Sequence, residues 1–120
     1  EAEIPAYYEN TKKPAFALKN RNGAFDFWCG MAPLPANLLR ETARKAGAFV
    51  YNESNAHFTI NESLLGMYSP TQKIYDYKFP FSNGKLKDMY EGNEYIIANG
   101  ASRIPYKKGE MKVFEIIKNK

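Results

Sequence analysis

A chain of 120 residues has the size of one domain and can bury roughly two-thirds of the surface its unfolded form exposes. Its 44% hydrophobic and 25% charged content excludes wholesale disorder and a coiled coil. The net charge of +4 comes from scattered lysines and arginines, not from the basic stripe with interleaved aromatics that nucleic-acid binding requires. The densest basic groups, Lys12-Lys13, Lys107-Lys108 and the tail 118–120, are short enough to be solvated loop or terminus. A single cysteine, Cys29, rules out an internal disulfide, so the fold must hold by its core. No stretch approaches the roughly 20 apolar residues of a membrane span. Glu1-Ala2-Glu3-Ile4-Pro5 lacks the basic and apolar regions of a signal peptide and reads as the start of a fragment, leaving the compartment open. The outlying quantity is the aromatic share, 15%, with nine tyrosines and eight phenylalanines, which favours pleated, half-buried surfaces.

After a leading segment at 6–10, the turn-prone Thr11-Lys12-Lys13-Pro14 introduces a strand over 15–19, with Phe16 and Leu18 on one face. Asn22-Gly23 suits the positive φ angles of a type I′ turn and returns the chain through a second strand at 24–29. Pro35 stands where a helix can begin, because its missing N–H costs nothing in the first turn. The spacing of Leu38, Leu39, Thr42, Ala43 and Ala46 predicts a helix with that face buried. Arg44 and Lys45 complement its dipole, and Gly47 supplies a left-handed cap. From residue 48 onward, turn signals recur every 8–12 residues or so, the rhythm of a sandwich. Strands are expected at 49–51, 57–60, 64–68, 73–81, 86–90, 95–98 and 111–117. Over 73–81, Tyr75, Tyr77 and Phe79 alternate with Ile74, Asp76 and Lys78, which suits a strand with one wet face.

Motifs that carry chemistry are sparse. His57 sits within an expected strand, has no second histidine, and reads as a half-exposed packing residue; zinc would need three or four ligands that the chain does not assemble. Cys29 shares a face with Phe25 and Phe27 and reads as a buried thiol, although a helix start a few residues on could activate it. Asp26, Asp76, Asp88 and Glu94 are the acids from which a hydrolytic pair, held about 5–9 Å apart, would have to come; acids alternating on strands usually mark a solvated face. Asn22-Gly23, Asn83-Gly84 and Asn99-Gly100 are turn dipeptides, not a phosphate loop. Asn52-Glu53-Ser54 and Asn61-Glu62-Ser63 match the glycosylation sequon, which carries no meaning in a bacterial protein. The aromatic rings that could stack on a sugar are Trp28, Tyr75, Tyr77, Tyr90 and Tyr95, each also suited to edge-of-core packing.

Several runs together resemble a known family. Tyr8-Glu9-Asn10-Thr11-Lys12-Lys13-Pro14-Ala15, the hairpin, and the helix from Pro33-Leu34-Pro35 to Ala46-Gly47 are similar to the last part of a glutamine-amidotransferase-like, flavodoxin-related accessory domain. That domain occurs in trimer-forming β-galactosidases and related bacterial glycosidase-like proteins, ahead of a small all-β tail. Tyr90-Glu91-Gly92 and the run from Gly109 to Phe114 resemble the tail. The likeness is strongest over 14–51. It implies that the catalytic acids belong to an upstream barrel, and none of its catalytic residues has a counterpart here.

These readings converge on an α+β fold, an antiparallel β-sandwich with an N-terminal β-hairpin and one α-helix. They imply one domain over 1–120, with a hairpin-plus-helix subregion at 1–47 and a sandwich at 48–120. The expected role is that of a non-catalytic accessory or interaction domain of a larger carbohydrate-active protein, with no cofactor and no metal. Its expected partners are other domains or subunits of the parent, not nucleic acid or membrane; a secreted parent would put it in the periplasm or outside the cell. A sugar-binding module that uses exposed aromatics, with oligosaccharide as ligand, and a small stand-alone hydrolase are the alternatives.

Overall fold

Asn22 and Gly23 take φ angles of 53° and 90° in the computed structural model, which describes residues 1–119. Two successive positive φ angles match the right-handed twist of flanking strands, and they close the expected hairpin with Arg21 opposite Ala24. Its strands are β2 (Pro14–Arg21) and β3 (Ala24–Cys29), and β1 (Glu3–Tyr7) adds to the other side of β2 in an antiparallel sheet of order β1-β2-β3. β1 was not expected, because Pro5 interrupts its pattern. Proline is tolerated there because β1 is an edge strand with one pairing partner, and its register is irregular.

The helix α1 (Ala36–Lys45) follows, with Pro35 as its N-cap. It stops as expected: Gly47 has φ +80°, its N–H donates to the Arg44 carbonyl and that of Ala48 to the Ala43 carbonyl, both at 2.9 Å. This pair of bonds satisfies two carbonyls that a helix end leaves orphaned. The expected burial of the whole apolar face is not found. Thr42 is buried and Leu38 and Ala43 are half-buried, but Leu39 is 50% exposed and Ala46 lies at the surface. The buried hydrophobics of this part are only Ala15, Phe16 and Leu18. Burial on the helix is confined to the Leu38, Thr42 i, i+4 row with Ala43 beside it, not a full apolar stripe.

The chain divides into two compact units, one spanning Glu1–Val50 and one beginning at Tyr51. No strand forms over 49–51. There the Tyr51 carbonyl accepts the Lys78 N–H at 2.8 Å, and buried Asn52 donates to the Asp76 carbonyl at 2.8 Å while accepting the Ser54 N–H at 2.7 Å. Such side-chain bonds to the backbone displace a strand ladder.

The second unit contains β4 (Phe58–Ile60), β5 (Leu64–Ser69), β6 (Lys73–Lys78), β7 (Gly84–Asp88), β8 (Glu94–Ile97), β9 (Ala101–Tyr106) and β10 (Glu110–Lys118). Five of them form an antiparallel sheet of order β4-β5-β10-β7-β8, and β6 pairs with β9 in a second sheet. The fold is therefore the expected sheet-rich α+β type with a sandwich core. The chain crosses from the larger sheet to the smaller at Asn99-Gly100, whose φ angles of 51° and 71° let Ala98 and Ala101 exchange both N–H···O bonds at 3.0 Å.

β9 escaped the sequence reading because Pro105 sits in it. Proline is admissible because β9 pairs only with β6, leaving its other edge free of a ladder. β6 follows the expected alternation, with Tyr75 and Tyr77 inward and Phe79 continuing the row, while Ile74 is exposed. These rings meet Leu65, Met67, Leu86, Ile97, Ile104, Tyr106, Phe114 and Ile116 in one continuous core.

Phe114 is fully buried on the central strand β10 and stands edge-on to Tyr95, with centroids 5.6 Å apart. Phe114→Ala is expected to destabilise the second unit by about 3–5 kcal/mol through lost burial and the cavity left behind. Urea unfolding followed by tyrosine circular dichroism measures this, and a loss below about 1 kcal/mol would show that the core is not organised around this ring.

Candidate functional site

The five aromatic candidates do not form one surface. Tyr75 and Tyr77 are core residues, which corrects their reading as sugar-stacking rings. Being in phase with Phe79 they point inward, Tyr75 edge-on to Tyr106 at 5.4 Å and Tyr77 edge-on to Phe58 at 6.3 Å. The Tyr77 hydroxyl donates to Met67 Sδ. Burial pushes the Tyr77 phenol up to about 12, and that of Tyr106 upward as well. Tyr95 is half-buried against Phe114. Tyr90 is 74% exposed in the turn after β7, and Trp28 belongs to the first unit, where it is 55% exposed.

Three of the four candidate acids end in exposed ion pairs. Asp26 Oδ2 lies 2.6 Å from Arg21 Nε, Asp76 Oδ1 lies 2.9 Å from Arg103 Nε, and Glu94 Oε1 lies 2.7 Å from Lys85 Nζ. Water and salt screen such pairs, so each contributes no more than about 1 kcal/mol. They leave the carboxylates engaged, on strands whose partners fix the spacing.

Asp88 is different. Its side chain is 1% exposed, and it faces Lys112, whose side chain is 6% exposed. Both positions are set by strand phase: Asp88 is in register with Phe114 and inward with Leu86 on β7, and Lys112 is inward with Phe114 and Ile116 on β10. Lys112 Nζ lies 3.2 Å from Glu110, 3.5 Å from Asp88 and 3.7 Å from Glu91. The Tyr95 and Tyr106 rings flank it, with centroids at 6.0 and 5.9 Å. Asp88 Oδ1 also accepts the N–H groups of Tyr90 and Glu91 at 2.9 and 3.1 Å, and Glu110 Oε2 accepts that of Lys107 at 2.6 Å.

Burial by itself pushes the Asp88 carboxyl up. The Glu91 and Tyr90 N–H groups and the Lys112 ammonium outweigh that, holding it below the ordinary 3.8. The Lys107 N–H and Lys112 likewise hold Glu110 below 4.5, against a smaller effect of burial. Lys112, pushed down by burial, is raised above 10.5 by Glu110, Tyr95 and Glu91. A lysine held protonated is no nucleophile, and an aspartate held ionised is no proton donor. What the cluster does is mechanical: it ties β10 to the end of β7 and to the turn that carries Tyr90.

Lys112, Glu91 and Glu110 were missed as a group. The available signal was the phase of Lys112 with Phe114 and Ile116, a charge where alternation demands an apolar residue. His57 lies just before β4 and is exposed, not within a strand. Cys29 is half-buried with its Sγ 3.6 Å from the Met31 carbonyl oxygen. Among the described residues no group of three or more His, Cys, Asp or Glu is arranged to hold a metal ion, and no helix is long and apolar enough to cross a membrane. Compared with known protein families, curated proteins and solved structures, the chain has no match in any of the three.

The pH dependence of stability follows from the cluster. The depressed carboxyls of Asp88 and Glu110 contribute fully above their ordinary values of 3.8 and 4.5, and that contribution is lost as pH falls through the lower folded values. The raised Lys112 contributes fully below 10.5 and loses it as pH climbs through its folded value. Urea midpoints are thus expected to hold steady across neutral pH and to drop in acid, with Asp88→Asn flattening the acid limb. Lys112→Met, which strands buried carboxylates, is expected to remove about 3–5 kcal/mol at neutral pH. An unchanged midpoint in Lys112→Met would mean that the cluster does not hold the sheet.

Proposed function

We propose that this chain is a non-catalytic accessory module of a larger carbohydrate-active, glycosidase-like protein, serving the fold, assembly or substrate placement of that parent. The observation that carries the reading is the state of the acids. Hydrolysis of a glycoside by two carboxyls needs one of them raised and protonated beside an ionised partner. Here Asp26, Asp76 and Glu94 are each bound to a cation on the surface, and the buried one, Asp88, is held ionised. The likeness of residues 14–51 to the accessory domain of trimer-forming β-galactosidases supplies the carbohydrate half of the proposal.

The outer face of the five-stranded sheet favours interaction over chemistry. Tyr68 on β5 stands opposite Met111 on β10, both about half exposed, and the next pair on that face is Gly66 with Val113. Met89, also exposed, is hydrogen-bonded through its N–H to the Val113 carbonyl at 2.8 Å. Clustered exposed apolar groups of this kind mark docking surfaces, and the occupant we assign is the catalytic portion of the parent.

Co-expression of the chain with that catalytic portion is expected to yield a complex that survives size-exclusion chromatography. The double variant Tyr68→Glu, Met111→Lys is expected to lose the complex while melting at the same temperature as the unaltered chain. Turnover of an aryl glycoside by the isolated chain, abolished by Asp88→Asn or Asp76→Asn, would overturn the proposal; so would the absence of any complex.

A further inference from the structure

We propose that the first unit carries a saccharide-binding site in which Trp28 is the stacking platform and the loop joining β1 to β2 supplies the polar contacts. The inference deepens the accessory-module reading and rests on it for the relevance of sugars; the chemistry of the site is argued from its own residues.

Trp28 is paired opposite Ala17 on β2, so it projects on the face of the sheet away from Phe16 and Leu18. Despite 55% exposure one edge of its indole lies against the backbone at Gly30. A Cβ at Gly30 would stand 2.8 Å from the indole Cη2 and 2.5 Å from the Tyr8 hydroxyl, so only glycine lets both groups close over the backbone there. The Tyr8 hydroxyl donates to the Gly30 carbonyl, which binds the loop before β2 to the end of β3. The result is an aromatic ring with one edge against Gly30 and much of its surface open to solvent.

Tyr8 is also the first wall of a hollow of about 460 Å³ lined by Tyr8, Glu9, Asn10, Thr11 and Lys13. The hollow is preformed. Tyr8 N–H donates to the Lys13 carbonyl and Lys12 N–H to the Tyr8 carbonyl, both at 2.9 Å, and Lys12 takes a left-handed φ of 56° to close the loop. A loop already in its binding shape loses little entropy on binding. The hollow's size falls in the range of about 300–1,000 Å³ common to small-molecule sites.

The ligand class follows from what these groups can recognise. A half-exposed indole offers a flat apolar face that complements the C–H face of a pyranose ring. The hollow that Tyr8 shares offers an amide, two hydroxyls, a carboxylate and an ammonium, which together donate to and accept from neighbouring hydroxyl groups. Glu9 and Lys13 offset one another in charge, which favours a neutral ligand over an anion or a cation. An apolar peptide would leave these polar groups facing an unmatched surface.

Trp28 is the only tryptophan in the chain, so its fluorescence reports on this site alone. Titration of the intact chain with neutral cello-, xylo-, manno- and galacto-oligosaccharides is expected to give a saturable emission change for at least one series. Bound sugar is expected to protect the indole from acrylamide quenching. Calorimetry is expected to show affinity falling about tenfold or more in Trp28→Ala, equivalent to about 1.4 kcal/mol, with Trp28→Phe retaining part of it. If Trp28→Ala melts early, Asn10→Ala serves in its place, with the same direction expected. Calorimetric binding that persists unchanged in the Trp28 variants would place any sugar elsewhere and overturn the assignment. An unmoved emission across all four series would also overturn it. In either case, a complex with the parent's catalytic portion would leave the accessory-module reading standing, whereas sugar binding without such a complex would do the reverse.

Discussion

The charge cluster around Lys112 is the constraint on which the second unit depends. Removing an ammonium and a carboxylate from water is costly, and in such pairs the Coulomb attraction does little more than offset that penalty. The net gain in stability is therefore less informative than the gain in register. On β10 Phe114 and Ile116 point inward beside Lys112, while Met111, Val113, the exposed Glu115 and Ile117 occupy the other side. A one-residue slip of β10 would turn Met111, Val113, Glu115 and Ile117 inward, and with them a carboxylate that has no cation there. It would also carry Lys112 out of the core and leave Asp88 buried without its cation. The ion cluster and the outward Glu115 thus fix the same register.

The same cluster reaches the surface through Asp88. One carboxylate oxygen accepts the Tyr90 and Glu91 N–H groups and so shapes the turn between β7 and β8, while the other faces Lys112. Charge inside the sandwich and the conformation of an exposed turn are joined by one side chain. That is a structural use of acidic residues. It also explains why the acid that looks most unusual by burial is the least suited to proton transfer.

The two units are built on different scales. The second has a continuous core supplied by two sheets. The first buries only three hydrophobic side chains, Ala15, Phe16 and Leu18, all on β2, and leaves Tyr7, Phe27, Trp28, Leu39 and Phe49 exposed. Its order derives more from single turns and bonds: the Asn22-Gly23 turn, the paired bonds at the end of α1, and the long-range Tyr8 bond to Gly30. A unit of this kind is well suited to present side chains at its surface, which is where the proposed saccharide site lies.

Much of this architecture was legible in the amino-acid order. Asn22-Gly23 specified a turn because few other pairs accept two positive φ angles, and Pro35 and Gly47 marked the helix ends for equally local reasons. The alternation in β6 assigned Tyr75 and Tyr77 to one face but did not say whether that face was wet or dry, so they were read as ligand-stacking candidates until the opposing sheet proved to cover them. β1 and β9 stayed hidden because proline is acceptable in a strand only when one edge goes unpaired, and edges are a property of the assembled sheet. The extent of burial of α1 could not be read from its periodicity, because periodicity marks a face and not what covers it. Lys112 was visible as a charge out of phase, and Asp88 as one acid among several. Their meeting, like that of Trp28 with Tyr8 over Gly30, joins residues far apart in the chain, and only the tertiary structure could bring them within contact distance.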